Sequence, residues 1–273
     1  RSQLPGHAIG VESESECPFA QANAQLGPAH AQVVGQIAHA HEAGKPLLHF
    51  HGGGYVLGSV EAHRGVTAKF VKGSGVAALL FDYCLAPENP YPAALEDALA
   101  AYEWLLDRGL APERIVFAGD SAGGGLCMAT LLALKDTGRP MPAGAAVLSP
   151  WTDVACAGET LETNAKRCLA PENSWIACRK HYAQDHDPTD PYISPLYGDL
   201  AGLPPLHITA GGHETLLSDS TPFADRAKAS GVDVTLRVGA GMCHCYPACA
   251  PMFPEAVATL RETCAFMNDK LAT

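Results

Sequence analysis

The 273-residue sequence is short of charge, and the charge it carries is mostly of one sign. Charged residues make up 17% and the formal net charge is −11, so no basic excess is available to neutralise phosphates or to adsorb to anionic lipid. Nucleic-acid binding and membrane-surface binding are excluded on that ground. No apolar run reaches the roughly 18–20 residues a membrane span requires. The first thirty residues lack a basic region followed by an apolar core, so no signal peptide is read there. The sequence opens on Arg1 rather than Met, which leaves room for a leader or further N-terminal segment. Internal repeats and low-complexity tracts are absent as well. Ten cysteines are present, yet a disulfide framework is not. Cys84, Cys127, Cys178 and Cys264 fall in strand-like or helix-like patterns where a small buried hydrophobe fits. A large core has little need of covalent staples, so a reducing compartment and a cytoplasmic location are expected. Cys243, His244, Cys245 and Cys249 fail the C-x2-C spacing and lack a matching second pair, so no metal site is expected.

What is present alternates. Apolar, β-rich runs recur at 46–50, 76–81, 115–118, 145–149, 206–210 and 232–238, with helix-like segments at 61–72, 93–108, 122–135, 218–230 and 254–271. In 93–108 the residues Leu95, Leu99, Tyr102 and Leu106 recur at three- and four-residue spacing, the pattern of one helix face. Buried strands alternating with covering helices predict an α/β fold with a mostly parallel sheet wrapped on both sides. The alternation fails twice, over residues 1–45 and over 151–205. The second stretch reads as a cap inserted over the carboxyl edge of the sheet, with a helix-like piece at 171–184. The main α/β unit then runs from 46 to 273, and 1–45 reads as an N-terminal segment, a remnant of a cap.

Gly119-Asp120-Ser121-Ala122-Gly123 lies between the run 115–118 and the helix-like run that follows it. A serine framed by glycines at a strand-to-helix junction is a nucleophile elbow, tight enough that side chains at Gly119 or Gly123 would collide with neighbouring backbone. Upstream, His51-Gly52-Gly53-Gly54-Tyr55 follows a strand directly and exposes backbone N–H groups of the kind an acyl-transfer oxyanion requires. A serine hydroxyl needs a base, and the base needs an orienting carboxylate. In this fold the chain order is serine, acid, histidine. His244, immediately after the run 232–238, is the candidate base; His207 and His186 are less well placed. An unperturbed imidazole would begin to act near pH 6.5. Two carboxylates follow the run 206–210: Glu214 in a glycine turn, which is preferred, and Asp219 about a helical turn later, with helix capping as its competing role.

These motifs together resemble the hormone-sensitive-lipase-like (bacterial family IV) carboxylesterases of the α/β-hydrolase superfamily. The resemblance also rests on Asp82-Tyr83-Cys84-Leu85-Ala86-Pro87-Glu88, Ser149-Pro150-Trp151-Thr152-Asp153, Ser194-Pro195-Leu196-Tyr197 and Gly241-Met242-Cys243-His244, and covers the chain from about Pro46 onward. It implies a cofactor-free serine esterase acting on short- to medium-chain carboxylic esters through an acyl-enzyme. Ser121 is then the nucleophile, His244 the general base and acid, and an acid at the Glu214 turn completes the triad. The oxyanion hole is implied at the N–H groups of Gly53, Gly54 and Ala122. A homodimer through an edge strand is implied too. Two departures stand out: His213 occupies a position where the family usually carries aspartate, and Cys84 one where arginine is common. The rival reading is a hydrolase-fold receptor or ligand-binding protein without turnover.

Overall fold

The computed structural model describes residues 36–38, 42–171 and 173–272. Most of the 1–45 segment therefore lies outside the described residues. Seven strands form one sheet: β1 (Gln36–Ala38), β2 (Glu42–Phe50), β3 (Val76–Leu80), β4 (Val116–Asp120), β5 (Gly144–Leu148), β6 (Leu206–Gly211) and β7 (Val234–Gly239). Their spatial order is β1-β3-β2-β4-β5-β6-β7, with β1 antiparallel to β3 and every other pairing parallel. The six expected strands are all found. β1 was not foreseen, because a three-residue edge strand carries too little periodicity to stand out.

The central strands are buried on both faces, and consecutive residues serve opposite sides of the sheet. Leu47, Val116 and Ala146 face α1 (Val60–Ser74) and α7 (Pro254–Leu271), packing against Phe70, Val71 and Met267. Their neighbours Leu48, Phe117 and Ala145 face the other layer, built from α2 (Ala93–Asp107), α3 (Ala122–Asp136) and, between β6 and β7, α6 (Leu217–Ala229). Local chemistry fixes several helix ends. Ser59 caps α1, its hydroxyl accepting from the Ala62 N–H at 3.2 Å, and Gly75 closes it in the left-handed region. In α2 Leu95 and Tyr102 of the expected stripe are buried, together with Ala94, Ala98, Ala101 and Leu105, while Leu99 and Leu106 sit at the half-buried margin. The buried face is therefore broader than the expected stripe and takes in the alanines as well.

Residues 151–205, between β5 and β6, contain the short helix α4 (Thr160–Thr163) and α5 (Ser174–Tyr182). β2 and β4 are neighbours, with Phe50 opposite Gly119. The chain leaves β2 for α1 on one face and leaves β4 for α3 on the other. Strand order therefore reverses between them, which makes a crevice at their carboxyl ends. Both glycine motifs emerge there. Among the described residues, no helix is long and apolar enough to cross a membrane.

Candidate active site

Ser121 follows β4 directly with φ 56° and ψ −123°, a left-handed conformation that is strained for a residue with a side chain, by on the order of 1–3 kcal/mol. Its backbone is locked on both sides. The Ser121 N–H donates to the Leu148 carbonyl at 2.8 Å, and its own carbonyl accepts from Gly125 at 3.1 Å and Trp151 at 3.0 Å. The flanking glycines are demanded by close approach. A β-carbon at Gly119 would stand 2.5 Å from the Gly123 carbonyl oxygen, and one at Gly123 would stand 2.1 Å from that of Phe50. Ser121 itself is only 7% exposed.

In the loop after β2, Gly53 and Gly54 take φ values of 126° and 65°, and the Leu57 N–H returns to the Gly53 carbonyl at 2.9 Å. The N–H groups of Gly53, Gly54 and Ala122 have no acceptor among the described residues. The loop is braced from beneath. His51 stacks on Tyr83 with ring centroids 4.1 Å apart, its Nδ1–H donates to the Gly52 carbonyl at 2.9 Å, and the Tyr83 hydroxyl donates to the His51 carbonyl at 2.7 Å. Burial lowers the His51 imidazole to about 4, so it is neutral. Asp120 supports the same loop: a β-carbon on Gly52 would touch its Oδ2 at 2.3 Å. His49 and His63 lie 3.4 and 3.5 Å from the Asp120 carboxylate. Burial alone would raise that carboxyl, but the two imidazoles hold it well below the usual carboxylate range. Sequence reasoning missed this group, whose members are scattered over β2, α1 and the elbow.

Glu214 and His244 come together. Glu214 is fully buried in the turn after β6, and its Oε2 accepts from His244 Nδ1 at 2.9 Å. That contact fixes the tautomer, leaving Nε2 of the neutral ring as a proton acceptor. Burial disfavours the charged imidazole, but Cys245 and the Glu214 carboxylate outweigh it, and the net shift is well upward. Neighbouring backbone aligns the two loops, with the His213 N–H donating to Met242 O at 3.0 Å and the Cys245 N–H to Ser149 Oγ at 2.9 Å. The Leu148 carbonyl joins serine and histidine, accepting from Ser121 N at 2.8 Å and from the Cys245 thiol at 3.5 Å.

Asp219 is placed elsewhere. It lies in the first turn of α6, where its Oδ1 accepts from the Asp153 N–H at 2.8 Å and its carbonyl from the Thr152 hydroxyl at 3.0 Å. Burial drives its carboxyl well above the ordinary range. At the site of the other departure, the Cys84 N–H donates to Asp97 Oδ2 at 2.7 Å, so a backbone group meets a buried carboxylate where the family's arginine is missing.

The 151–205 segment supplies an aromatic wall that sequence reasoning did not single out. Trp175 of α5 meets the His244 ring edge-on at 5.6 Å and Trp151 at 5.1 Å. Tyr55 and Tyr182 stack at 3.7 Å, and Cys178 covers Gly54, whose added β-carbon would stand 2.7 Å from its sulfur. The spacing of Trp175, Cys178 and Tyr182 along one helix face was the available signal. Three contacts tie this segment to the acid turn. Trp175 Nε1 donates to Thr215 Oγ1 at 2.9 Å, Thr160 Oγ1 to Thr215 O at 2.7 Å, and Asn164 Nδ2 to Glu214 O at 3.0 Å. Among the described residues, no group of three or more His, Cys, Asp or Glu side chains is arranged to hold a metal ion.

Such an arrangement can activate a hydroxyl and stabilise an oxyanion, and similar proteins carry matching names. The chain matches the alpha/beta hydrolase fold family over residues 47–248. An acetyl-hydrolase of Streptomyces hygroscopicus is 40% identical over 230 residues, spanning 84% of this chain and 77% of that protein. An esterase of Acinetobacter venetianus is 36% identical, spanning 81% of this chain and 73% of its own. Among solved structures, EstE5 soaked with p-nitrophenyl butyrate has a TM-score of 0.83 at 40% identity, over 88% of this chain and 86% of that one. An esterase from the bacterial hormone-sensitive lipase family has a TM-score of 0.81 at 42% identity, over 83% of this chain and 77% of that one. The chain thus belongs to the α/β-hydrolase fold family and, within it, to the esterases of the hormone-sensitive lipase family.

Proposed function

We propose that this carboxylic ester hydrolase works through a Ser121–His244–Glu214 triad and an acyl-enzyme. The observation that carries the reading is the His244 imidazole held on the buried Glu214 carboxylate at 2.9 Å, in a loop joined through the Leu148 carbonyl to the strained, backbone-locked Ser121. His244 Nε2 takes the Ser121 proton as Oγ attacks the ester carbonyl. The oxyanion is received by the N–H groups of Gly53, Gly54 and Ala122, aided by the N-terminus of α3. Protonated His244 then delivers its proton to the leaving alcohol. A water deprotonated by the same nitrogen attacks the acyl-enzyme and frees the acid. Glu214 holds the tautomer and stabilises the imidazolium throughout.

Residues 151–205 act as a cap in this reading, and residues 46–273 as the catalytic unit. Short- to medium-chain acyl groups are the proposed substrates, with Trp175 of that segment standing against His244 and Trp151 against Trp175. The proposal includes a reducing, cytoplasmic setting for a cysteine-rich chain without a staple pattern.

Ser121→Ala is the deciding variant. It is expected to lose turnover of p-nitrophenyl esters while keeping its circular dichroism spectrum, because the hydroxyl is not needed for packing. An organophosphate should add one group to the wild type, on Ser121, and a burst of aryl alcohol should precede steady turnover. Labelling of a different serine, or an active Ser121→Ala, would overturn the mechanism. A protein that binds esters with no burst would instead be the receptor-like alternative.

A further inference from the structure

His63 stands in the first turn of α1 with an oxygen facing each of its ring nitrogens. Nδ1 lies 3.2 Å from the Ser59 carbonyl, and Nε2 lies 3.5 Å from Asp120 Oδ2. A carbonyl and an ionised carboxylate accept hydrogen bonds and never donate them. A neutral imidazole carries one N–H, so it would serve one of these oxygens and aim a lone pair at the other. His49 approaches the same carboxylate, with Nε2 3.4 Å from Oδ1 and Nδ1 2.6 Å from the Thr67 hydroxyl. His49 escapes the conflict. The hydroxyl can turn from the His63 carbonyl, 3.0 Å away, and donate to Nδ1, which lets His49 hold its one proton on Nε2. His63 has no such partner, and its contacts are complete only when both of its nitrogens carry protons.

The other charged and titratable groups around it agree. Asp82, whose Oδ1 accepts from the Val60 N–H at 2.6 Å, is a second carboxylate on the side of His63. His51, with its ring centroid 5.2 Å away, is kept neutral by burial. Tyr83 and Cys245, which face Asp120, are held by burial as a neutral phenol and thiol. On α1 itself, Arg64 is engaged by Glu61 at 2.9 Å. Burial would lower the His63 imidazole, but Asp120, the Ser59 carbonyl and Asp82 outweigh it, and the net shift is upward. Asp120 is correspondingly ionised, so the second proton rests on the ring.

We propose that His63 is a positioning residue for ester hydrolysis: as an imidazolium paired with Asp120 it sets the carboxylate beneath Gly52, and the glycine loop loses alignment when His63 gives up its proton. This role rests on the esterase reading above. Asp120 is the link, because it directly precedes Ser121 and its Oδ2 stands 2.3 Å from where a Gly52 β-carbon would be. Deprotonating His63 leaves a largely buried carboxylate without its countercharge, so Asp120 shifts or takes up a proton and the Gly52–Gly54 run moves with it. The His63 and Asp120 side chains are 17% and 13% exposed, which lets the pair exchange protons with solvent. His244 and His63 then make opposite demands. The base works when neutral and the positioning residue when charged, which gives a bell-shaped rate.

The test is a pH series of kcat and KM toward p-nitrophenyl butyrate for the wild type and His63→Gln. It is paired with an NMR titration of the ring C–H signal that the substitution removes. The ring should titrate with a midpoint above the ordinary value of about 6.5, and Asp120→Asn should lower that midpoint. Wild-type kcat/KM should rise and then fall again on the alkaline side. In His63→Gln it should rise once and stay level, with kcat at the wild-type optimum reduced roughly 10- to 100-fold and KM little changed, since an error of about 1 Å costs about 10²-fold. His63→Asn serves if the glutamine variant fails to fold. A midpoint at or below about 6.5, or an alkaline fall that survives in His63→Gln, would overturn this role. So would an equal loss at every pH with the profile unchanged, the mark of a merely structural residue. If the wild type hydrolyses no ester, the esterase reading fails, and the ring titration still sustains or overturns the charged pair.

Discussion

At the level of single residues the two acids after β6 separate most sharply. Glu214 touches His244 Nδ1, whereas Asp219 serves the Asp153 N–H. Glu214→Gln keeps shape but offers the imidazole an amide, so kcat should fall by on the order of 10⁴ with less effect on KM. Asp219→Asn should keep most activity, because its Oδ1 still accepts from Asp153. Its stability is informative as well. The folded state raises the Asp219 carboxyl above its unfolded value near 3.9, so its stabilising contribution is complete below that pH and fades as pH rises toward the folded value. Asparagine cannot ionise, so urea melts of Asp219→Asn at pH 7 should match or exceed wild type. A crippled Asp219→Asn beside an active Glu214→Gln would move the acid. The same environment alters the pH profile. Since His244 is raised, the acid limb of kcat/KM should lie above the ordinary imidazole value of about 6.5 rather than at it. A limb at or below 6.5 in a rate–pH series would contradict that environment. The contact between Glu214 and His244 was legible because each is the apt residue in a turn following a recognisable strand. The placement of Asp219 and the aromatic wall were not, since both depend on how residues 151–205 fold back, which no local pattern encodes.

Among elements, the elbow between β4 and α3 has the least tolerance. Gly123→Ala would put a methyl 2.1 Å from the Phe50 carbonyl oxygen and 2.4 Å from that of His51, both backbone atoms at the end of β2. Overpacking against such atoms costs about 1–3 kcal/mol or more, and it pushes apart the two loops proposed to serve the oxyanion. Gly65 in α1 is the control: it is exposed, has nothing within 4 Å of an added β-carbon, and lies inside a helix. Gly65→Ala should therefore stabilise by up to about 1 kcal/mol while Gly123→Ala destabilises and loses esterase activity; thermal melts and kinetics on the pair would check both. Equal behaviour of the two variants would contradict the packing described. Strands and long helices were legible because burial on both faces of the sheet yields short apolar runs, and one-sided packing yields three- and four-residue spacing. Where alanine shares the packing, as at Ala94, Ala98 and Ala101 in α2, the expected stripe caught Leu95 and Tyr102 but missed the alanine side of the buried face.

Across the whole molecule, function depends on where strand order reverses. β2 and β4 lie side by side and deliver the glycine loop and Ser121, while β6 and β7, also adjacent, deliver Glu214 and His244. β5 stands between the two pairs and joins them through Leu148 and Ser149. The parallel, doubly covered architecture was legible from the alternation of runs, but this bridging by β5 was not, because it is made by backbone atoms whose positions no side-chain pattern reports. The ties from Thr160, Asn164 and Trp175 to the Glu214–Thr215 turn carry a consequence for engineering. Insertions of this kind invite exchange between homologues as interchangeable cassettes for specificity. In this chain the cassette boundary does not coincide with a structural one: a donor segment lacking those three partners would also slacken the turn that carries Glu214, the acid of the proposed triad. Recombination at 151–205 would have to carry the residues around Thr215 along with it.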